Sequence, residues 1–443
     1  MGDNYETIDI GGGGNVDGKD IEPRSVSTAE LSDATIYGSE YADLNAAVSD
    51  TETGQTVRLP AGITTFSSYL GGAVRGVTVE GSGKDETVLQ SDGASQLINQ
   101  FNAGSMAVFK DMTIDMHGVA SDGRVANLAA DMPVKFENVR FKNIDLSDQG
   151  NQRGLVEANT DVSRVVYKGV EFALDTITNM GTYRYMAVNT PGSNSIGVFR
   201  AKDCEVTGSI TTDRATREFL NGFYAEVSKF GIVENCAFHN LDQYCAYLIA
   251  NGDGAIVRVS DCDSRLSGNG DQFRAGSRGN GEVVKLSDIT VSGTANTADV
   301  GADSDIHGDR GIIIQGSGTT DAVTVDGGII RDVLVGFDIQ RGVRNLVVTG
   351  LTVYNCGHYD TAIEVRPGIL TRTNSRNLGH VKINNCHVIN ETADRAMEPG
   401  IEVRETDGNA TELATVTENT IQGYETNATV VSATSKDVRD NTT

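Results

Sequence analysis

Tryptophan is absent from this 443-residue chain, proline occurs only six times, and lysine supplies 11 of its 36 basic residues. Without tryptophan, any stacking surface for a ring-shaped ligand has to be built from the 13 tyrosines and 13 phenylalanines. No apolar run reaches the ~20 residues that a membrane-crossing helix needs. There is no Cys-x-x-Cys pair and no His/Cys cluster at zinc spacing, so a structural zinc site is not indicated. The opening "MGDNYETIDI" has neither a basic start nor an apolar core, so no secretory signal is expected there. Positive charge is also short: 61 acidic residues stand against 36 basic ones, a formal charge of −25. Such a surface repels phosphate backbones and anionic lipid, which argues against nucleic acid or a membrane as partner.

What the chain does have is 51 glycines and an internal repeat. "VFKDMTI", "VKFENVRF", "VVYKGVEF", "FRAKDCEV", "GIVENCAF", "VRVSDCDS", "VKLSDITV", "VTVDGGII", "LVVTGLTV", "HVKINNCHV" and "ATVTENTI" share one frame. The residues at its centre are Asp111, Asn138, Gly169, Asp203, Asn235, Asp261, Asp288, Gly327, Gly350, Asn385 and Asn419, every one Asn, Asp or Gly. These types tolerate a left-handed backbone, glycine for want of a Cβ and Asn or Asp through a short side chain that bonds locally. Apolar residues alternate on both sides, as in Phe136 before the bend and Val139 and Phe141 after it. The repeat therefore predicts strand, sharp corner, strand and a return of variable length. Stacked in parallel, such units form a solenoid whose continuous core no single turn could bury.

The fold expected is all-β: a right-handed, single-stranded parallel β-helix of about 11–12 turns, on the order of 55 Å long at about 4.8 Å per turn. Residues 1–24, with "GGGGNVDGKDIEP", read as a flexible arm; 25–56 as a helical cap; 57–443 as the β-helix. In the cap, Tyr41, Leu44 and Val48 share one helical face that would cover the open first turn. Cys204, Cys236, Cys262 and Cys386 fall at the inward position just after a corner, so the six cysteines are expected as free, mostly buried thiols.

The segment after the cap carries a resemblance. Gly54, Val57, Leu59, Pro60 and Gly62, then Val77, Val79, Gly81 and Gly83 with Thr87 and Leu89 behind them, are similar to the entry of pectate-lyase-like right-handed parallel β-helices. Viral tailspikes and receptor-binding spikes commonly use that entry. The resemblance is specific over about residues 40–90 and general over the later turns. It implies a virion spike that recognises a host surface glycan or glycoprotein, with a polysaccharide-degrading glycosidase or lyase as the alternative and a structural decoration protein as the third. It further implies a homo-oligomer, by default a trimer, at the virion surface, joined to other virion proteins through the N-terminal arm. The acidic excess with few lysines resembles proteins of extreme halophiles, hence a halophilic, haloarchaeal host; an ordinary acidic protein is the other reading. The motif set of the polygalacturonases is absent, so no catalytic residue follows from the resemblance.

Candidate site residues come from the late turns. Aligning "GIIIQG", "GFDIQRG", "AIEVRPG" and "GIEVRET" puts Ile313, Asp338, Glu364 and Glu402 in one outward column and Gln315, Gln340, Arg366 and Arg404 in the next. Carboxylates one or two turns apart would stand about 5 or 10 Å apart, near the separations of retaining and inverting glycosidases. Asp338, Glu364 and Glu402 are thus catalytic candidates, while the same column also reads as ion pairs with Arg366 and Arg404. The arginines favour binding without cleavage. Gln340, Arg366, Arg404, Tyr224, Tyr247, His307 and Arg310 are ligand-binding candidates, with Tyr183, Tyr185, Tyr244 and Tyr359 as further aromatics near the same strands. No cofactor is expected. Asp303, Asp305 and Asp309, on the loop "SGTANTADVGADSDIHGDRG", are candidates for a structural cation such as Ca²⁺, against the reading of a plain hydrated loop.

Overall fold

A computed structural model of the chain describes residues 35–100, 103–117, 125–144, 153–173, 184–189, 194–208, 220–241, 244–265, 272–279, 281–293, 310–315, 318–333, 335–340, 342–356, 367–373, 376–391, 399–406, 409–424 and 429–442. Ahead of them, Ile8–Asp9 and Asn15–Val16 pair antiparallel.

The described strands fall into three parallel stacks that wind as a right-handed β-helix. The first stack contains Ile256–Ser260, Val283–Ser287, Thr320–Asp326, Val343–Thr349, Leu378–Asn384, Thr411–Thr417 and Ser435–Arg439, each paired to the next. Asp263–Arg265, Thr290–Ser292, Ile329–Arg331, Thr352–Tyr354, His387–Ile389 and Thr420–Gln422 belong to the second. The third runs from the first part of Phe223–Glu234 through Ala246–Ala250, Phe273–Ser277, Arg310–Ile314, Val335–Ile339, Ile369–Arg372 and Ile401–Arg404 to Thr429–Val431. Nearer the N-terminus, Ala107–Asp115 and Val134–Lys142 run through the first corner without a break.

The corner between the first and second stacks is the repeat read from the sequence. Asp111, Asn138, Asp203, Asn235, Asp261, Asp288 and Asn385 have φ between 50° and 60°, and Gly169, Gly327 and Gly350 lie at 62°, 68° and 66°. The final corner departs from the pattern. Glu418, not Asn419, takes the positive φ of 61°. Asn419 turns inward at the position Cys386 occupies one turn earlier, accepts a hydrogen bond from Cys386 N at 2.9 Å and donates to Ile383 O at 3.2 Å. Losing those bonds inside the core would cost more than left-handed strain on an exposed glutamate, so the bend shifts by one residue. A second corner, at the far end of the second stack, was not anticipated. Asn143, Asn240, Asp332, Asn355 and Gly423 have φ of 50°, 53°, 57°, 52° and 77° there. Each follows its first corner by five residues, so the signal was present in the sequence.

Chain length is constant at one corner and variable at the next. From the first stack to the second, Ser287 precedes Thr290, Asp326 precedes Ile329 and Asn384 precedes His387 at the same spacing. From the second to the third, Arg331 leads almost directly to Val335, whereas a far longer segment joins Ser292 to Arg310.

Stacked aromatics fill the middle of the rod, with Phe109, Phe136 and Tyr167 in successive turns at centroid distances of 5.5 and 5.9 Å. All six cysteines are free and buried. At the N-terminal end the expected helix forms over Leu44–Ser49, capped by Asp43, which accepts from Ala46 N at 2.9 Å. It buries Leu44, Ala47 and Val48 over the first turns. Among the described residues no helix is long and apolar enough to cross a membrane.

Candidate functional site

The outward side of the third stack carries one register column: Tyr224, Tyr247, Arg274, Ile313, Asp338, Leu370, Glu402 and Val430. Asp338 and Glu402 stand where the sequence placed them. Glu364 does not. The strand that follows Asp338 is Ile369–Arg372, which puts Leu370 in the column and pairs Arg372 with Arg404. Glu364 and Arg366 lie outside the described residues, and the alignment on "AIEVRPG" is corrected to "PGILTR".

Glycines explain that register. Gly311, Gly336 and Gly368 each stand just before or at the start of a third-stack strand, against a branched side chain of the second stack. A Cβ on Gly311 would meet Ile330 Cγ2 at 2.4 Å and the carbonyl oxygen of Gly336 at 2.8 Å. One on Gly336 would meet Val353 Cγ1 at 2.6 Å and the oxygen of Gly368 at 2.7 Å. Gly368 sits likewise against Val388 Cγ1 at 2.6 Å and Gly400 O at 3.1 Å. The close backbone approach admits only glycine at these rungs, which brings Gly368 into line with Gly311 and Gly336.

The column does not lie open to solvent as an outward position implies, though the expected ion pair of Glu402 with Arg404 does form. Ile313, Asp338 and Leu370 are buried, and Glu402 is 6% exposed. Apolar neighbours flank Asp338 on both rungs, and three side chains close over its carboxylate. Oδ2 accepts from Gln340 Nε2 and Arg372 Nη2, each at 2.8 Å, and pairs with Arg310, whose Nε stands 2.9 Å away. Oδ1 has no hydrogen-bond partner among the described residues, and neither has Nε of Arg372. An unfilled buried polar atom costs about 1–3 kcal/mol. Glu402 accepts both Nε and Nη2 of Arg404, at 2.6 and 2.8 Å, in a two-pronged pair. With Leu370 between them, Asp338 and Glu402 are two rungs apart, about 10 Å.

Toward the N-terminus the same column becomes aromatic. The rings of Tyr224 and Tyr247 meet edge to face at 4.9 Å, and Tyr244 lies 5.3 Å from Tyr247. Arg274 lays its guanidinium 4.2 Å over the centre of Tyr247 and donates to the Tyr244 hydroxyl at 2.9 Å. Behind Tyr224 is a carboxyl the sequence reading missed, Glu226, which is wholly buried. It accepts from the Tyr224 hydroxyl at 2.7 Å and Asn251 Nδ2 at 3.2 Å, and pairs with Arg278. Burial raises its pKa against the opposing pull of Tyr224, Arg278 and Asn251. Its one signal was an acidic residue interrupting the apolar strand "FYAEV".

Of the other expected residues, Tyr224 and Tyr247 are brought together, as are Arg310, Asp338 and Gln340. His307, Asp303, Asp305, Asp309, Tyr183 and Tyr359 lie outside the described residues, and Tyr185 is placed on a strand paired with Asn221. Among the described residues no three His, Cys, Asp or Glu side chains are grouped so as to hold a metal ion.

No protein-family model matches the chain, and no curated protein matches it either. Solved structures do resemble it. Tailspike protein 3 of bacteriophage CBA120 is similar with a TM-score of 0.51 at 10% identity, over 92% of this chain and 61% of the tailspike chain. The chain thus spans less than two thirds of that tailspike's length. The A-module of the mannuronan C-5 epimerase AlgE6 of Azotobacter vinelandii matches with a TM-score of 0.41 and 13% identity, over 92% of this chain and 98% of the module. The PL6 family polysaccharide lyase Pedsa3628 of Pseudopedobacter saltans matches with a TM-score of 0.44 and 14% identity, over 92% of each chain. At these identities the likeness is one of fold.

Proposed function

We propose that this chain is a virion spike that recognises a host surface glycan along the outward face of its third stack, and binds it without cleaving it. The observation that carries the reading is the assembly of Tyr224, Tyr244 and Tyr247 with Arg274. The partly exposed rings of Tyr224 and Tyr247 and the guanidinium of Arg274, which is bonded to the buried Tyr244, offer a sugar chain both apolar ring contact and hydrogen-bond donors. The rod spaces Tyr224, Tyr247 and Arg274 at about 4.8 Å per rung, so a linear polymer lying along the axis there meets one of them at each of these turns. Binding without cleavage is supported by the carboxylates: Asp338 and Glu402 are each engaged by guanidinium groups in the protein itself. The phage tailspike of the same fold supports the virion setting. In that setting residues 1–24 tether the chain to the particle, copies associate about an axis as a trimer, and the charge of −25 suits a halophilic host.

The test has two arms. Proteomics of purified virus particles should find the chain among the structural proteins; finding it only in the cell fraction removes the spike. On an array of polysaccharides at high salt, wild type should bind and Tyr247→Ala should bind at least tenfold more weakly, with no new reducing ends or unsaturated products released. Product release that disappears in Asp338→Asn or Glu402→Gln would replace this reading with that of a glycan-degrading enzyme.

A further inference from the structure

Asp338 distributes its hydrogen bonds unevenly. Oδ2 takes two donors, from Gln340 and Arg372, and an ion-pair contact from Arg310, while Oδ1 takes none among the described residues. Arg372 has the complementary defect, since Nη2 bonds to Asp338 and Nε has no acceptor. Nε is two bonds from Nη2 and Oδ1 two bonds from Oδ2, so both unfilled atoms belong to the same ion pair. A side-on guanidinium would have satisfied both, but crowding of Oδ2 by Arg310 and Gln340 leaves a single-point contact. What fits is one oxygen that donates to Asp338 Oδ1 and accepts from Arg372 Nε–H. Both vacant atoms are buried; the side chains grade outward from Asp338 at 0% through Arg372 at 16% to Arg404 at 37%, so a ligand reaches the pair by displacing the outer part of Arg372.

We infer that Arg372 and Asp338, held in place by Arg310 and Gln340, form a subsite for a sugar hydroxyl. The inference rests on the glycan-binding reading and extends it to a second point on the same face. Tyr247 and Asp338 are three rungs apart, about 14 Å, so an oligosaccharide of a few units placed on the tyrosines reaches the pair. A hydroxyl is uncharged and serves as donor and acceptor at once, as the two vacant atoms demand. A carboxylate ligand would satisfy Arg372 but face Asp338 with like charge, so the subsite selects a neutral position of the polymer.

The test uses the full chain and a panel of neutral and uronic-acid oligosaccharides. Crystals of the unaltered protein soaked with the tightest binder should place a sugar oxygen within hydrogen-bond distance of both Asp338 Oδ1 and Arg372 Nε. By calorimetry, Arg372→Lys, which keeps the charge but removes Nε, should weaken binding about tenfold with little change in Tm. If Tyr247→Ala weakens binding while Arg372→Lys does not, the subsite is wrong and the glycan-binding reading survives. A water held at that position in the complex also overturns the subsite. If wild type binds no member of the panel, both readings fall together.

Discussion

Replacing Asn235 isolates what the corner asks of its residue. Its φ is 51°, and its side chain donates to Asp203 Oδ1 on the preceding turn at 2.7 Å. Alanine loses that bond, about 1 kcal/mol at an exposed site, and places a Cβ in left-handed backbone, a further cost of about 1–2 kcal/mol. Glycine loses the same bond and pays about 0.5–1 kcal/mol in unfolded-state entropy but escapes the strain. Asn235→Ala should therefore lose about 2–3 kcal/mol and Asn235→Gly about 1.5–2 kcal/mol. Elsewhere glycine is the worse of the two, so the order itself is diagnostic. Gly169→Ala supplies the backbone term alone, because its new Cβ would find nothing closer than 3.8 Å, at Asn138. Urea unfolding followed by tyrosine fluorescence gives the comparison, the chain having no tryptophan. Asn235→Ala proving as stable as Asn235→Gly would refute the account of the corners.

Glu418→Gly should stabilise the chain by about 0.5–1 kcal/mol by relieving the last corner, read as a higher urea midpoint. Asn419→Ala should destabilise by about 2–3 kcal/mol, because Cys386 N and Ile383 O lose buried partners; a loss below 1 kcal/mol would mean that water replaces them. Lys135 and Lys168 lower the pKa of Glu137 to about 2 from 4.5, so its contribution is full above pH 4.5 and fades as pH falls toward 2. Discounted for solvent screening it is roughly 1 kcal/mol, so Glu137→Gln should trail wild type by that much at pH 7 and match it below pH 2; a gap that persists in acid argues against the pairing. A thiol reagent should count six cysteines after denaturation without reductant and almost none before.

The periodic part of the molecule was legible because it is local. A corner needs one residue type at one place, and the alternation of Phe136, Val139 and Phe141 around Asn138 carries both the bend and the core. The last corner was misplaced by one residue because asparagine suits a left-handed bend better than glutamate, and only the contact with Cys386 in the previous turn reveals why Asn419 is drawn inward. The third stack was read one strand early because "AIEV" has the right alternation; glycine before each strand was the stricter guide, since its reason lies in Val353 and Val388 of another stack. Glu226 was illegible for the same cause. Its partner Arg278 is 52 residues away, brought close only by the winding of the rod.

The unequal corners divide labour along the chain. Where the first stack passes to the second, a fixed spacing keeps every turn in step, so a lengthened loop elsewhere cannot throw later turns out of register. The other two passages absorb the differences in length, and the one into the third stack opens beside the face that bears the tyrosines and arginines. The molecule resembles a loom in this respect: one edge holds the count of the threads, and the other is where a pattern can be changed turn by turn without rewinding the rest.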